Sequence, residues 1–278
     1  MAGGEAPRWT FRAEFLRPRA EGARGAAGAA GAGKRRALVV LNWTLPAAMG
    51  QLWGAADVRL CADGGANRLF DEIGKGQGGA AGRLERGDYI PDIILGDLDS
   101  LRPEVRDFYK SHGSKVEDLS RDQDSTDMQK ALEKLRRPPS ADGLGPAEAW
   151  EEVIVVGATG GRLDHELSNI NTLLLYTDLR VVLVGESSLA VRVPAGRARI
   201  YPLRDVEGPA CGLVPLPGPL RASTSGLRWN LDDTEMKFGG LISTSNCLEG
   251  AEGTVDVVSD GDLLWTVELR SSAPTKPP

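Results

Sequence analysis

From Ala37 onward, short apolar runs rich in β-branched residues alternate with segments of helical periodicity, and few folds accommodate that alternation. The runs are ALVVLN (37–42), VRLCAD (58–63), PDIILGD (91–97), KVEDLS (115–120), EEVIVVGA (151–158) and LRVVLVG (179–185). Between them lie the helical patterns ANRLFDEI, PEVRDFYKSH, STDMQKALEKL and DHELSNINTLLLY, with Pro103 where a first helical turn tolerates it. Apolar strands separated by helices predict a parallel sheet with helices on both faces. Two Gly/Pro-rich stretches, 74–87 and 136–146, read as surface excursions between elements.

After about Gly185 the pattern changes. LAVRV, ARIYPL, CGLVPL, TVDVVS and LLWTVELR alternate with a period of two and are separated by Gly/Pro turns, which predicts an antiparallel β domain, a sandwich or a barrel. Residues 1–36 are different again: eight Arg/Lys against three Glu, and an Ala/Gly tract that offers nothing for a core, so the segment is expected to lack structure. Its basic composition also suits an organellar transit peptide, but serine is absent. With +5 in that segment and −6 overall, the remainder carries −11, which argues against a nucleic-acid partner. No window reaches the roughly 18 apolar residues of a membrane span. The three cysteines form no CxxC pair, so a reducing cytoplasm is expected.

In a sheet of this kind, ligands bind beyond the carboxyl ends of the strands, and acids gather there. Asp97 and Asp99 end the third run. On extended backbone, residues i and i+2 project to one side, where two carboxylates repel unless a cation joins them. Mg²⁺, a hard cation that takes carboxylate oxygens at roughly 2.0–2.1 Å together with substrate phosphates, would resolve the conflict. The alternative is a polar turn in which Asp99 or Ser100 caps the helix beginning near Pro103. SRDQDSTDMQKAL adds Asp122, Asp124 and Asp127, with Asp124 expected as a helix cap and Asp127 at the third position. CADGGANR places two glycines between strand and helix, where backbone N–H groups can meet phosphate, and VGATGGRLDHELSN repeats the device with Arg162 and Asp164. His112 and His165 read as surface residues. The DLD sequence is also similar to the paired aspartates of haloacid-dehalogenase phosphatases, but there the pair follows the first strand.

Taken in order and spacing, CADGGANR, PDIILGDLDSLRPEVR, DQDSTDMQKAL, GGRLDHELSNINTLL, GLRWNL and LISTSN closely resemble the eukaryotic thiamine pyrophosphokinase family, from about Ala37 to about Arg270. The resemblance implies a Rossmann-like nucleotide-binding α/β domain (37–186), a thiamine-binding β-sandwich (187–272) and a disordered terminus (273–278). It implies Mg²⁺-dependent transfer of pyrophosphate from ATP to the hydroxyl of thiamine, giving thiamine diphosphate and AMP. A homodimer is expected, the β domain of one subunit completing the site of the other. Asp97, Asp99 and Asp127 are then the expected catalytic and metal residues, Asp127 and Asp99 being candidates to accept the hydroxyl proton. Asp63, Gly64, Asn67, Gln123, Thr126, Arg162 and Asp164 are assigned to the nucleotide. Trp229 offers a face to the thiamine cation, with core packing as its alternative, and Ser243, Ser245 and Asn246 are assigned to the pyrimidine edge. Trp265, in an alternating strand, reads as core.

Overall fold

The computed structural model describes residues 6–17, 35–74, 85–137, 150–250 and 253–270. By its contacts the chain divides after Glu14 and after Glu186: Phe15–Glu186 form one unit, and the N-terminal residues join those from Ser187 onward in the other. The first strand, β1 (Trp9–Phe11), and a 3₁₀ turn (Glu14–Leu16) precede the elements of the central unit.

That unit contains β2 (Arg35–Val40), β3 (Val58–Ala62), β4 (Ile93–Gly96), β5 (Lys115–Asp118), β6 (Trp150–Val156) and β7 (Val181–Val184), all parallel, in the order β7-β6-β2-β3-β4-β5. β4 and β7 are buried at every residue, as strands covered on both faces must be, whereas β5 leaves Lys115 and Asp118 exposed. Between the strands run α1 (Met49–Ala55), α2 (Gly65–Gly74), α3 (Pro103–Ser111), α4 (Asp127–Arg136) and α5 (Leu163–Leu175). The short α1 has no counterpart in the sequence reading. Two glycines break its propensity, and what fixes it is tertiary: Leu52 is fully buried, and the Trp53 indole N–H donates to the Asp88 carbonyl at 3.1 Å. None of the helices, among the described residues, is long and apolar enough to cross a membrane.

The other unit holds β8 (Ser188–Val193), β9 (Gly196–Ile200), β10 (Glu207–Pro215), β11 (Leu220–Ser225), β12 (Thr234–Met236), β13 (Ser243–Cys247), β14 (Val255–Ser259) and β15 (Leu263–Leu269). The run β13-β10-β15-β8 is antiparallel throughout. A second sheet has the order β1-β9-β14-β11-β12, antiparallel except where β1 joins β9. Trp265 on β15 is fully buried, the core position its alternating neighbours predict.

The expectation that residues 1–36 lack structure fails for Arg8–Leu16. Trp9, Thr10 and Phe11 pair with Ala198, Arg199 and Ile200, and the Tyr201 N–H donates to the Phe11 carbonyl. Phe11, Phe15 and Leu16 are buried. Averaging over the Ala/Gly tract hid the local WTFRAEFL pattern. Residues 1–5 and 18–34, most of the two Gly/Pro excursions and residues 271–278 lie outside the described residues. Because Phe11 is only 1% exposed, Phe11→Ala should cost about 3–5 kcal/mol of stability in denaturant unfolding. A variant as stable as wild type would mean the N-terminal strand contributes nothing.

Candidate active site

Chain order reverses at β2: the strands after it proceed on one side as far as β5, and the chain then returns to lay β6 on the other. Such a switch point opens a crevice beyond the carboxyl ends of the two strands. Here the loops after β2 and β6 line a cavity of about 630 Å³ with Asn42, Trp43, Gly161 and Arg162, and the ends of β3 and β4 add Asp63 and Asp97. The first turn of α4 closes another wall with Thr126 and Asp127.

Three of these residues converge. Asp63, Asp97 and Asp127 each offer an oxygen within 4.8 Å of the others. The Oδ1 of each is buried and has no hydrogen-bond partner. Backbone geometry forces the convergence. Asp63 adopts a left-handed φ of 43° and its N–H donates to the Leu95 carbonyl at 2.8 Å, tying it to β4. At Gly96 (φ 146°) a Cβ would stand 3.0 Å from both Asp63 Cβ and Asp127 Oδ1, so only glycine leaves room for the cluster. Thr126 caps α4 in a reciprocal capping box with Gln129, which puts Asp127 at the helix start, where the dipole favours an anion. The expected Asp124 cap is not the one used. Asp122 instead organises the preceding turn, accepting from the N–H groups of Asp124 and Ser125.

Burial and repulsion act together on these groups. Burial raises the Asp63 carboxyl above its ordinary value; the nearby Ser100 and Gly64 oppose the shift, and Asp97 and Asp99 add to it. Asp127 is likewise raised, by burial first and then by Asp97, with Lys130 pulling the other way. Lys130 Nζ lies 3.6 Å from Asp127 Oδ1. Three converging carboxylates, each with a buried oxygen that has no hydrogen-bond partner, suit a hard divalent cation.

Asp99 lies outside this cluster. Leu98, with φ 63°, breaks the extended backbone that would have aimed Asp97 and Asp99 together; Asp99 is exposed and accepts from Ser100 Oγ at 3.0 Å. Asp63, assigned from sequence to the nucleotide, takes the third place. Thr126, Arg162 and Asp164 do line the cavity, and Arg162 grips Asp164 through two contacts of 3.1 and 2.6 Å at the surface. Gly64 makes room for the protein rather than for a ligand, since a Cβ there would sit 2.3 Å from Asn42 Nδ2. Asn67 clamps the loop after β4, donating to the Ser100 carbonyl and accepting from the Arg102 N–H. Gln123 donates to the Ser120 carbonyl, away from the cavity. Sequence reading missed Asn42, Trp43, Lys130 and Asn169 in the lining. Asn42 and Trp43 directly follow the first strand of the sheet, and the switch-point rule could have flagged them.

In the β unit, Trp229 is 54% exposed, so it is not core, and the Arg228 guanidinium lies 4.9 Å from its ring centroid. Asn246 is buried and holds the loop: its amide donates to the Trp229 carbonyl (2.8 Å) and to Ser243 Oγ (3.0 Å), and its oxygen accepts from the N–H groups of Trp229 and Cys247. Its amide is thus spent on positioning Trp229. Ser243 is buried, whereas Ser245 is exposed with φ 57°.

The raised carboxyl of Asp63 means that its protonated form favours folding. That contribution is present below the ordinary carboxylate range and is lost as pH rises through the raised value. Asparagine tolerates left-handed backbone, so Asp63→Asn should raise the melting temperature in EDTA at neutral pH by a few degrees. The gain should vanish as pH falls through the carboxylate range. A variant less stable than wild type at neutral pH in EDTA would contradict the repulsion.

Comparison with known proteins places the chain in a family. The family description "Thiamin pyrophosphokinase, catalytic domain" matches residues 49–183, and "Thiamin pyrophosphokinase, vitamin B1 binding domain" matches residues 197–264. Thiamine pyrophosphokinase 1 of Oryza sativa subsp. japonica is 42% identical over 267 residues, covering 95% of this chain and 99% of the relative. Thiamine pyrophosphokinase 1 of Arabidopsis thaliana is 44% identical over 242 residues, covering 86% and 88%. Among solved structures, thiamin pyrophosphokinase from Candida albicans superposes with a TM-score of 0.71 at 26% identity, covering 85% of this chain and 90% of that one. With both family domains matched in order and near-full-length relatives above 40% identity, the chain belongs to the thiamin pyrophosphokinase family.

Proposed function

We propose that the chain transfers the pyrophosphoryl group of ATP to the hydroxyl of thiamine, giving thiamine diphosphate and AMP, in a reaction that depends on Mg²⁺. The observation that carries the reading is the convergence of Asp63, Asp97 and Asp127, each with a buried carboxylate oxygen that has no hydrogen-bond partner, at the switch-point crevice of a member of this family. The central unit acts as a Rossmann-like nucleotide-binding domain and the β unit as a thiamine-binding β-sandwich.

In this reading Asp63, Asp97 and Asp127 hold the cation. A cation bound there would supply neutralisation of the phosphate charge, a main need of a phosphoryl-type transfer. Arg162, steadied by Asp164, binds phosphate, and the N-terminal turn of α4 at Thr126 presents backbone N–H groups to it. The thiamine hydroxyl oxygen attacks the β-phosphorus, the bond from that phosphorus to the α-phosphate oxygen breaks, and AMP leaves. Asp99, outside the cluster and so not committed to the cation, accepts the hydroxyl proton. Trp229 stacks on the thiamine cation, with Asn246 and Ser243 holding its loop and Ser245 facing the pyrimidine.

The working state is a homodimer in which the β unit of one subunit completes the site of the other. Supporting this, α5 begins beside Arg162 and leaves Leu163, Leu167 and Leu175 exposed, the first two one turn apart.

Incubation with thiamine, ATP and Mg²⁺ should yield thiamine diphosphate and AMP in equal amounts; ADP as the nucleotide product would refute the transfer. Asp97→Asn should lower turnover by at least about two decades and abolish the thermal stabilisation of the nucleotide-free protein by Mg²⁺. Asp99→Asn should lower turnover yet keep that stabilisation. Trp229→Ala should raise the KM for thiamine about tenfold, leave the KM for ATP within about threefold, and hardly move the melting temperature. Trp229→Phe should recover much of the loss, and parallel changes in both KM values would remove the stacking role.

A further inference from the structure

Lys130 is a lysine with only 5% of its surface exposed, placed in the second turn of α4 with its side chain at the cavity. Among the described residues its one ion-pair partner is Asp127, whose buried Oδ1 lies 3.6 Å from Nζ. An ammonium is costly to bury unless it is paired, and a neutral side chain would fill the same space at less cost. The capping box at Thr126 and Gln129 fixes the turn that carries Asp127, and the i, i+3 spacing then keeps Lys130 on the same face.

We propose that Lys130 is a positioning residue that sets the charge of the acid cluster, so that one divalent cation brings the site to neutrality and a polyphosphate chain can approach it. The inference rests on the pyrophosphokinase reading above. Counted in their charged forms, three carboxylates and one ammonium leave −2, which a single divalent cation cancels. Without the lysine the cluster would stand at −3: it would draw Mg²⁺ more strongly yet keep a negative residue facing the phosphates. At separations near 4 Å in a partly dry site, one charge is enough to change affinities about tenfold or more.

The test compares wild type, Lys130→Met and Lys130→Arg as full-length chains, by titrating Mg²⁺ into nucleotide-free protein in a calorimeter and by measuring KM for ATP and kcat at saturating Mg²⁺. Lys130→Met should bind Mg²⁺ about tenfold more tightly and show a KM for ATP raised about tenfold, with kcat changed less. Its melting temperature in EDTA should fall, and Mg²⁺ should restore more than it adds to wild type. Lys130→Arg, which keeps the charge, should stay within about threefold of wild type in both constants. If Lys130→Met does not fold without metal, Lys130→Gln supplies the same comparison. Unchanged or weakened Mg²⁺ affinity in the neutral variant, or equal effects of Met and Arg, overturns the proposal. A wild type that binds Mg²⁺ but makes no thiamine diphosphate refutes the activity and leaves the Mg²⁺ comparison to decide Lys130; a wild type that binds no Mg²⁺ refutes the metal reading and this proposal together.

Discussion

Repulsion among Asp63, Asp97 and Asp127 is the constraint around which the central unit is built. Buried carboxylates close together would, left free, rotate apart or protonate. Here the backbone denies them the first option. β3 and β4 run in register up to Ala62 and Leu95, the next N–H locks Asp63 to β4, and a glycine at 96 gives the third acid its place at the start of α4. The sheet supplies rigidity, and the helix supplies a positive end and a nearby ammonium. The unfavourable electrostatics is thus held in place by main-chain geometry, as expected of a site shaped for something it binds rather than for its own stability.

Much of the architecture was legible because strands covered on both faces have no polar side to confuse the pattern. β4 and β7 are wholly apolar, β2 and β6 become so after a charged pair near their start, and the four longer helices carry ordinary periodicity. The illegible parts have local physical causes. α1 is too short and too rich in glycine for propensity to register, and it forms because Leu52 and Trp53 are buried. The N-terminal strand was lost in the composition of the tract that follows it.

The acids show the same limit at finer scale. That they gather at the carboxyl edge follows from the rule for parallel sheets. Which of them meet depends on single torsions: Leu98 turns Asp99 outward, and Asp63 bends inward. Pairing by i, i+2 spacing assumes an extended chain, and the assumption breaks one residue past the end of β4. Thr126 was read as a ligand contact and proves also to be the cap, a role expected of Asp124 two positions earlier. At Trp229 the sequence left core and surface open, and exposure decides it. The supporting amide of Asn246, seventeen positions away, joins Trp229 only through the pairing of its loop with the end of β13.

The parallel seam between β1 and β9 gives the β unit a history different from that of the central unit. During synthesis the first strand leaves the ribosome nearly two hundred residues before its partner at Ala198–Ile200 exists. The stretch from Phe15 to Glu186 can collapse on its own sheet in the meantime. A fragment cut at Ser187 would look in sequence like a complete β domain, yet it would present β9 with an unpaired edge and a gap where Phe11 belongs. The sheet that holds β9 is therefore finished by a strand made long before it, and the β unit becomes whole only once β9 has emerged to meet β1.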